Sequence, residues 1–230
     1  MTGVSVAERG LTSIDKRLDM LPESLTFTKT LRSDNRCYSV NITADGHRIS
    51  GSTGRVEIRD TIDGKVKFSR NMKGSMVDMK RYGDHLYGAL LNDNQLAVVR
   101  YDTQLNNRKE VISIPYQTNK FSQIDVRYGT IAVVDYDNKL IQLYTTDGGF
   151  VGAVTLKGCN NPSCVRLLMD GCVLVTDYGP GSVTKYQTDG SGIVVWRCGQ
   201  LQHALGLDVD EWGLIYICEK STIYLISPEG

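Results

Sequence analysis

A glycine recurs just ahead of an apolar run at Gly46, Gly83, Gly129, Gly171 and Gly213, at steps of 37, 46, 42 and 42 residues. A second signal keeps pace with it. Asp63-Gly64, Asp147-Gly148, Asp189-Gly190 and Glu229-Gly230 follow at steps of 84, 42 and 40, the first being two periods. A tight turn between adjacent strands needs positive φ, which Gly supplies without a Cβ clash, while Asp accepts local backbone hydrogen bonds. Tyr144 and Tyr186 stand three residues ahead of two of these acids, and Tyr101 takes that place in the unit without Asp-Gly.

The runs between the glycines are β-like. Ile131–Val134, Val173–Val175 and Leu214–Ile217 are continuous and apolar, as strands buried on both faces are. Val56–Arg59 alternates, as a half-exposed strand does. Each unit reads as strand, Gly turn, buried strand, polar turn, strand, Asp-Gly turn, outer strand. Four antiparallel strands at a period near 42 make one propeller blade. The expected fold is therefore an all-β propeller of four-stranded blades over residues 25–230. Its units are Asn35–Lys73, Gly74–Tyr116, Gln117–Lys157, Gly158–Gly199 and Gln200–Gly230. The last has three strands. Leu25–Leu31 is β-rich and can supply the fourth, which closes five blades and hides two sheet edges. The other reading is a truncated six-bladed ring.

Only the N-terminus carries a helical period, with Leu11, Ile14, Leu18 and Leu21 on one face and Pro22 as the stop. Residues 1–24 are expected to form a short helix and linker, either lying on the domain or ending a coiled coil. Met1–Gly10 lacks a charged segment followed by an apolar one, so no secretory signal is expected. No apolar run is long enough to span a bilayer as a helix.

The third, fourth and fifth units carry more than turns. Val133-Val134-Asp135-Tyr136-Asp137-Asn138 leads into Leu140-Ile141-Gln142-Leu143-Tyr144. The fourth has Pro162, then Met169-Asp170-Gly171-Cys172-Val173-Leu174-Val175-Thr176-Asp177, and the fifth has Leu207-Asp208-Val209 ahead of Trp212-Gly213. This pattern resembles the NHL repeat. A helix ahead of such a propeller looks like the C-terminal half of TRIM-type, B-box proteins with an NHL domain. That resemblance implies a cytoplasmic, non-catalytic recognition module for a protein partner or single-stranded RNA, not DNA or membrane. It also implies relatives that oligomerise through a coiled coil. The zinc-binding RING and B-box arrays of those proteins have no counterpart here, so no ubiquitin-ligase activity, and no enzyme, is expected.

His47, His85 and His203 occupy inequivalent positions, and no acid, Asn or His recurs at one register to hold a channel metal. Asp208, Asp210 and Glu211 cluster, but turn chemistry explains them as it explains Asp45 and Asp170. Cys159 and Cys164 have no second pair, and Cys172 and Cys218 lie in apolar runs. No catalytic residue, cofactor or metal is therefore expected. The alternative is a metal-dependent propeller hydrolase or lyase.

Charge is balanced at 26 Lys plus Arg against 26 Asp plus Glu, which argues against a chain built to coat nucleic acid. It is nonetheless polarised. Residues 32–81 hold 11 cations and 6 acids, and residues 199–230 hold 1 and 5. Outer-to-inner links and second-to-third turns share one face, where loops are free of core duty. The candidate recognition face there is Arg36, Arg55, Lys73, Lys120, Phe121, Tyr136, Lys139 and Tyr178. Tyr136 and Tyr178 hold the same register. Each can anchor a ligand or cover the seam between blades.

Overall fold

A computed structural model describes residues 37–42, 47–60, 65–92, 94–116, 122–179, 181–197, 206–209, 215–219 and 222–226. The elements over these residues are all strands, and every described pairing is antiparallel. The helix expected before Pro22 and the closing strand Leu25–Leu31 lie outside them.

The first three strands are β1 (Cys37–Ile42), β2 (His47–Asp60) and β3 (Val66–Tyr82). β4 (His85–Asn92), β5 (Gln95–Asp102) and β6 (Lys109–Pro115) follow in the same sheet. β7 (Ile124–Arg127), β8 (Thr130–Asp135), β9 (Leu140–Thr145) and β10 (Phe150–Thr155) form a second sheet. β11 (Pro162–Leu167), β12 (Val173–Asp177), β13 (Ser182–Tyr186) and β14 (Gly192–Arg197) form a third. β15 (Gly206–Val209), β16 (Ile215–Glu219) and β17 (Thr222–Ile226) form a fourth, of three strands.

The second, third and fourth units thus fold as the four-stranded meanders that their turn signals predict. Gly83, Gly129 and Gly171 all hold positive φ at the first turn of their units. The first unit needs a correction. No hairpin splits it at its expected second turn; β2 runs through as one strand. Its Arg48–Ser52 half pairs with β1, and its Thr53–Arg59 half pairs with β3. Each half finds a ladder partner, so β2 needs no turn to pair its backbone. β3 is shared in the same way. It is the outer strand of the first unit up to Asn71 and the inner strand of the next from Ser75, with Gly74 at the handover.

The sheets stack face to face through strand alternation. On β4, Leu86 and Leu90 pack towards Val56 and Ile58, while Tyr87 and Ala89 pack towards Ile131 and Val133. On β8 the next pair, Ala132 and Val134, turns to Val165, Val173 and Val175 of the third sheet. Leu174 and Val183 then face Leu207, Ile215 and Ile217 of the fourth. Each central strand is apolar on both faces because both faces meet a neighbouring sheet. Burying one such Val or Leu contributes roughly 1.5–3 kcal/mol. β3 lies beside β7, β7 and β8 beside β11, and β11 beside β15. The inner strands therefore gather along one line. This is the arrangement of a β-propeller.

Candidate functional site

The inner strands point charge at one another. Asp78 on β3 is buried, and its carboxylate crosses to the next sheet, where Oδ2 accepts the Ile124 amide at 3.1 Å. Its Oδ1 accepts Lys80 Nζ at 3.1 Å. Asp125 on β7 repeats the crossing: Oδ2 accepts the Leu167 amide at 2.8 Å, and Oδ1 meets Arg166 Nη1 at 3.4 Å. Arg166 on β11 reaches one sheet further, donating from Nε to Asp208 Oδ1 on β15 at 2.9 Å. Arg127 returns from β7 to the same oxygen, at 2.8 Å through Nη2.

Arg166 is only 6 % exposed. Burial alone would push its pKa down, but Asp125, then Asp208 and Asp78, outweigh that and hold it above the ordinary guanidinium value. The group is a fixed cation between two sheets.

This cluster walls a cavity of about 410 Å³ at the end of the inner strands. Its lining includes Arg81-Tyr82 and Arg127-Tyr128, the first two residues of a repeated Arg-Tyr-Gly at the turns leaving β3 and β7. Tyr128 stands at φ +53° and Gly129 at +75°, the two successive left-handed residues that a type I′ hairpin requires. An aromatic residue rarely holds that conformation. Tyr128 is nonetheless 56 % exposed, so its ring contributes little to the core and faces the cavity mouth. The lining carries four cations, Lys80, Arg81, Arg127 and Arg166, against two carboxylates, Asp125 and Asp208.

That lining does not fit a divalent metal. Both carboxylates already face guanidinium groups, and cations outnumber them. Among the described residues no group of three His, Cys, Asp or Glu comes together as metal ligands. His85, on β4, is exposed and does not line this cavity.

Two sequence readings are corrected here. Acids do recur on the inner strands, in Asp78-Met79-Lys80, Asp125-Val126-Arg127 and Asp208-Val209. Asp208 belongs to that set, paired by two arginines, and turn chemistry does not explain it. Asp170 does behave as a turn acid, accepting the Cys172 amide at 3.0 Å.

The residues of the candidate recognition face are placed as follows. Tyr136 is buried at 9 % exposure, donates from its hydroxyl to Asn161 Oδ1 at 2.6 Å, and lies 3.9 Å under Lys139 Nζ. The structure thus brings Tyr136, Lys139 and Asn161 together on the seam between the second and third sheets. Tyr178 is 37 % exposed in the turn after β12. Arg55 is exposed on β2 and pairs with Glu57 at 2.9 Å. Lys73 lines a separate cavity at the start of the first complete meander. Arg36, Lys120 and Phe121 lie outside the described residues.

The repeat's own acids are structural. Asp135 accepts Asn138 N and Nδ2, both at 3.0 Å, and Gln142 Nε2 at 2.7 Å. That is the physical reason for the Asp, Asn and Gln of the third unit's motif. Asp177, at the same register, instead accepts the Asn160 and Asn161 amides and ties the incoming link to its sheet.

Cys159 and Cys164 are free thiols, both buried. Burial pushes Cys159 up to about 12 and Cys164 up to about 11. The thiolate is the reactive form. We expect both to resist iodoacetamide at neutral pH in the folded protein and to react once it is unfolded, read by peptide mass mapping. Modification of Cys159 in the native state would contradict its burial.

No protein-family model matches the chain, the NHL repeat included, and a search by sequence among curated proteins finds no match. The fold does have solved neighbours. A virginiamycin B lyase from Staphylococcus aureus is 15 % identical with a TM-score of 0.65, over 86 % of this chain and 69 % of that one. A streptogramin B lyase is 13 % identical with a TM-score of 0.65, over 87 % and 68 %. A protein of unknown function from Bacteroides caccae is 17 % identical with a TM-score of 0.62, over 83 % and 73 %. Likeness at this identity carries the propeller fold and no more. Because lyases stand among the proteins that share this fold, the fold does not support the expectation that the chain is not an enzyme, which is corrected to an open one.

Proposed function

We propose that this chain is a propeller enzyme of the lyase type, working on an anionic substrate at the axial cavity. The observation that supports it is the cluster of Asp125, Arg127, Arg166 and Asp208 across three inner strands, rimmed by Tyr82 and Tyr128. A binding scaffold gains little from burying Asp125 and Arg166, since desolvation offsets most of the attraction. Preorganised charge is what a reaction with developing negative charge needs.

In this reading Arg127 and Lys80 hold a carboxylate or carbonyl oxygen and stabilise the charge that grows on it. Asp208, partly open to solvent, takes the proton from the adjacent carbon. The C–H electrons form the carbon–carbon double bond, and the neighbouring C–O bond breaks. A Tyr128 hydroxyl then supplies a proton to the departing oxygen. Arg166 does not touch substrate; it fixes Asp208 and Arg127 in place.

The test is turnover in oxygen-18 water. The panel contains β-oxygenated carboxylic acids and esters, together with quinupristin, the compound bound in one S. aureus neighbour. Elimination consumes no water, so the expected product is unsaturated and free of solvent oxygen. Solvent oxygen in the product makes the protein a hydrolase, and no turnover of any member contradicts the enzyme reading.

A further inference from the structure

A second cavity, of about 660 Å³, lies between the outer half of β3 and the loop after β5. It shares no lining residue with the axial one. Its described walls carry three cations, Arg70, Lys73 and Arg108, and no carboxylate. The amides of Asn71 and Asn92 add neutral hydrogen-bonding groups.

Arg70 and Arg108 are held in place. Asp102 organises the loop beneath Arg108: Oδ1 accepts the Gln104 and Asn106 amides at 2.9 and 2.8 Å, and Oδ2 accepts Asn107 Nδ2 at 2.9 Å. Leu105 and Asn107 stand at φ +63° and +51°, so the loop is bent tightly back on itself. Arg70 Nη1 donates to the Leu105 carbonyl, and its guanidinium lies 5.9 Å from the Tyr101 ring centroid. Burial pushes the Tyr101 hydroxyl up, and its hydrogen bond with Arg108 draws it partly back. Glu110 approaches Arg108 only to 3.8 Å, with both side chains about two-fifths exposed, which is a weak pairing. Gly74 belongs to the same wall. It stands at φ +101°, and a Cβ there would collide with Asn92 Oδ1 and the Leu91 carbonyl, so only glycine lets Asn92 close on it.

Three like charges around one hollow repel one another unless an anion joins them. Two planar guanidinium forks and one ammonium match the three oxygens and double charge of a terminal phosphoryl group. We propose that this cavity binds the terminal phosphoryl group of a small phosphorylated ligand.

Calorimetric titration with inorganic pyrophosphate, and with inorganic phosphate as a second arm, tests it on the whole chain. Pyrophosphate is expected to bind saturably, and more tightly than phosphate if the ligand reaches beyond one phosphoryl group. Lys73→Ala and Arg108→Ala should each weaken binding roughly tenfold or more, the loss of a charge-assisted hydrogen bond. Lys157→Ala, an exposed cation on another sheet, should leave it unchanged. Unaltered melting curves keep these variants interpretable. The proposal is overturned if pyrophosphate does not saturate at millimolar concentration, or if both cavity variants bind as the parent does. It is equally overturned if single-stranded RNA displaces pyrophosphate at a lower concentration of phosphate groups, since the occupant is then a polymer.

Discussion

Arg166→Ala is expected to destabilise the protein by roughly 3–5 kcal/mol, the cost of removing one partner of a buried ion pair. Asp125 is 2 % exposed and would lose one of the two guanidiniums that face it, keeping Arg127 Nε at 3.4 Å and the Leu167 amide. Asp208 would lose one of its two arginines. Urea unfolding followed by circular dichroism measures the change as a shift of midpoint at constant slope. Arg166→Lys should recover only part of the loss, because one ammonium cannot span Asp125 and Asp208 as a guanidinium fork does. The double change Asp125→Asn with Arg166→Met should cost clearly less than the two single costs added, because it removes both charges together. Additive costs would show that the two groups do not interact across the sheets.

Gly148→Ala is the second large effect. Its turn presses against the outer strand of the preceding meander, and a Cβ on Gly148 would land inside the Val111 carbonyl group. Gly190 repeats the arrangement one sheet later, where a Cβ would meet the Thr155 carbonyl oxygen at 2.6 Å. Backbone cannot yield as a flexible side chain does. Overpacking of about 1–3 kcal/mol then adds to a left-handed penalty of about 1–2 kcal/mol at φ +95°. Gly129→Ala is the internal control. It has φ +75° but nothing within 4 Å of its Cβ, so only the left-handed penalty of about 1–2 kcal/mol applies. Thermal unfolding of both variants separates the two causes. Equal losses at the two positions would mean that the Asp-Gly turns do not lock neighbouring sheets.

That contrast shows what the sequence could and could not tell. The period of 42 located Gly83, Gly129 and Gly171 at their turns and placed twelve strands in three meanders, because turn chemistry is local and written in single residues. Local reasoning also explained Gly148 and Gly190 by their turns alone. Their contact with the sheet before depends on a neighbour some 35 residues away, which no local signal reports. The unbroken β2 is invisible to local turn signals for a related reason. A strand long enough to serve two partners looks, residue by residue, like two strands and a turn.

The site was legible only in hindsight. Asp78-Met79-Lys80, Asp125-Val126-Arg127 and Arg81-Tyr82-Gly83 against Arg127-Tyr128-Gly129 are repeats in plain view. The acids are out of register because the hairpin they open is longer in one unit, with Asp78 paired to Ala89 but Asp125 to Ala132, while the Arg-Tyr-Gly repeat keeps one offset. Counting from the turn glycine puts the two acids at different offsets, although both cross to the next sheet's backbone. Arg166 fills the corresponding place with the opposite sign, and a search for a recurring acid passes over it. Tyr136, by contrast, was found at its register and lies on the seam, one of the two places open to it.

The most direct measurement is turnover by the parent chain beside Arg127→Ala and Tyr128→Phe on the same panel of β-oxygenated acids and esters. Both side chains reach solvent, so each change should lower the melting temperature less than Arg166→Ala does, Arg127→Ala more than Tyr128→Phe because Arg127 also faces Asp125. The account predicts an unsaturated product from the parent, a loss of roughly a hundredfold or more in kcat/KM with Arg127→Ala, and a fall in kcat with Tyr128→Phe. Full activity in the Arg127 variant would contradict an axial site.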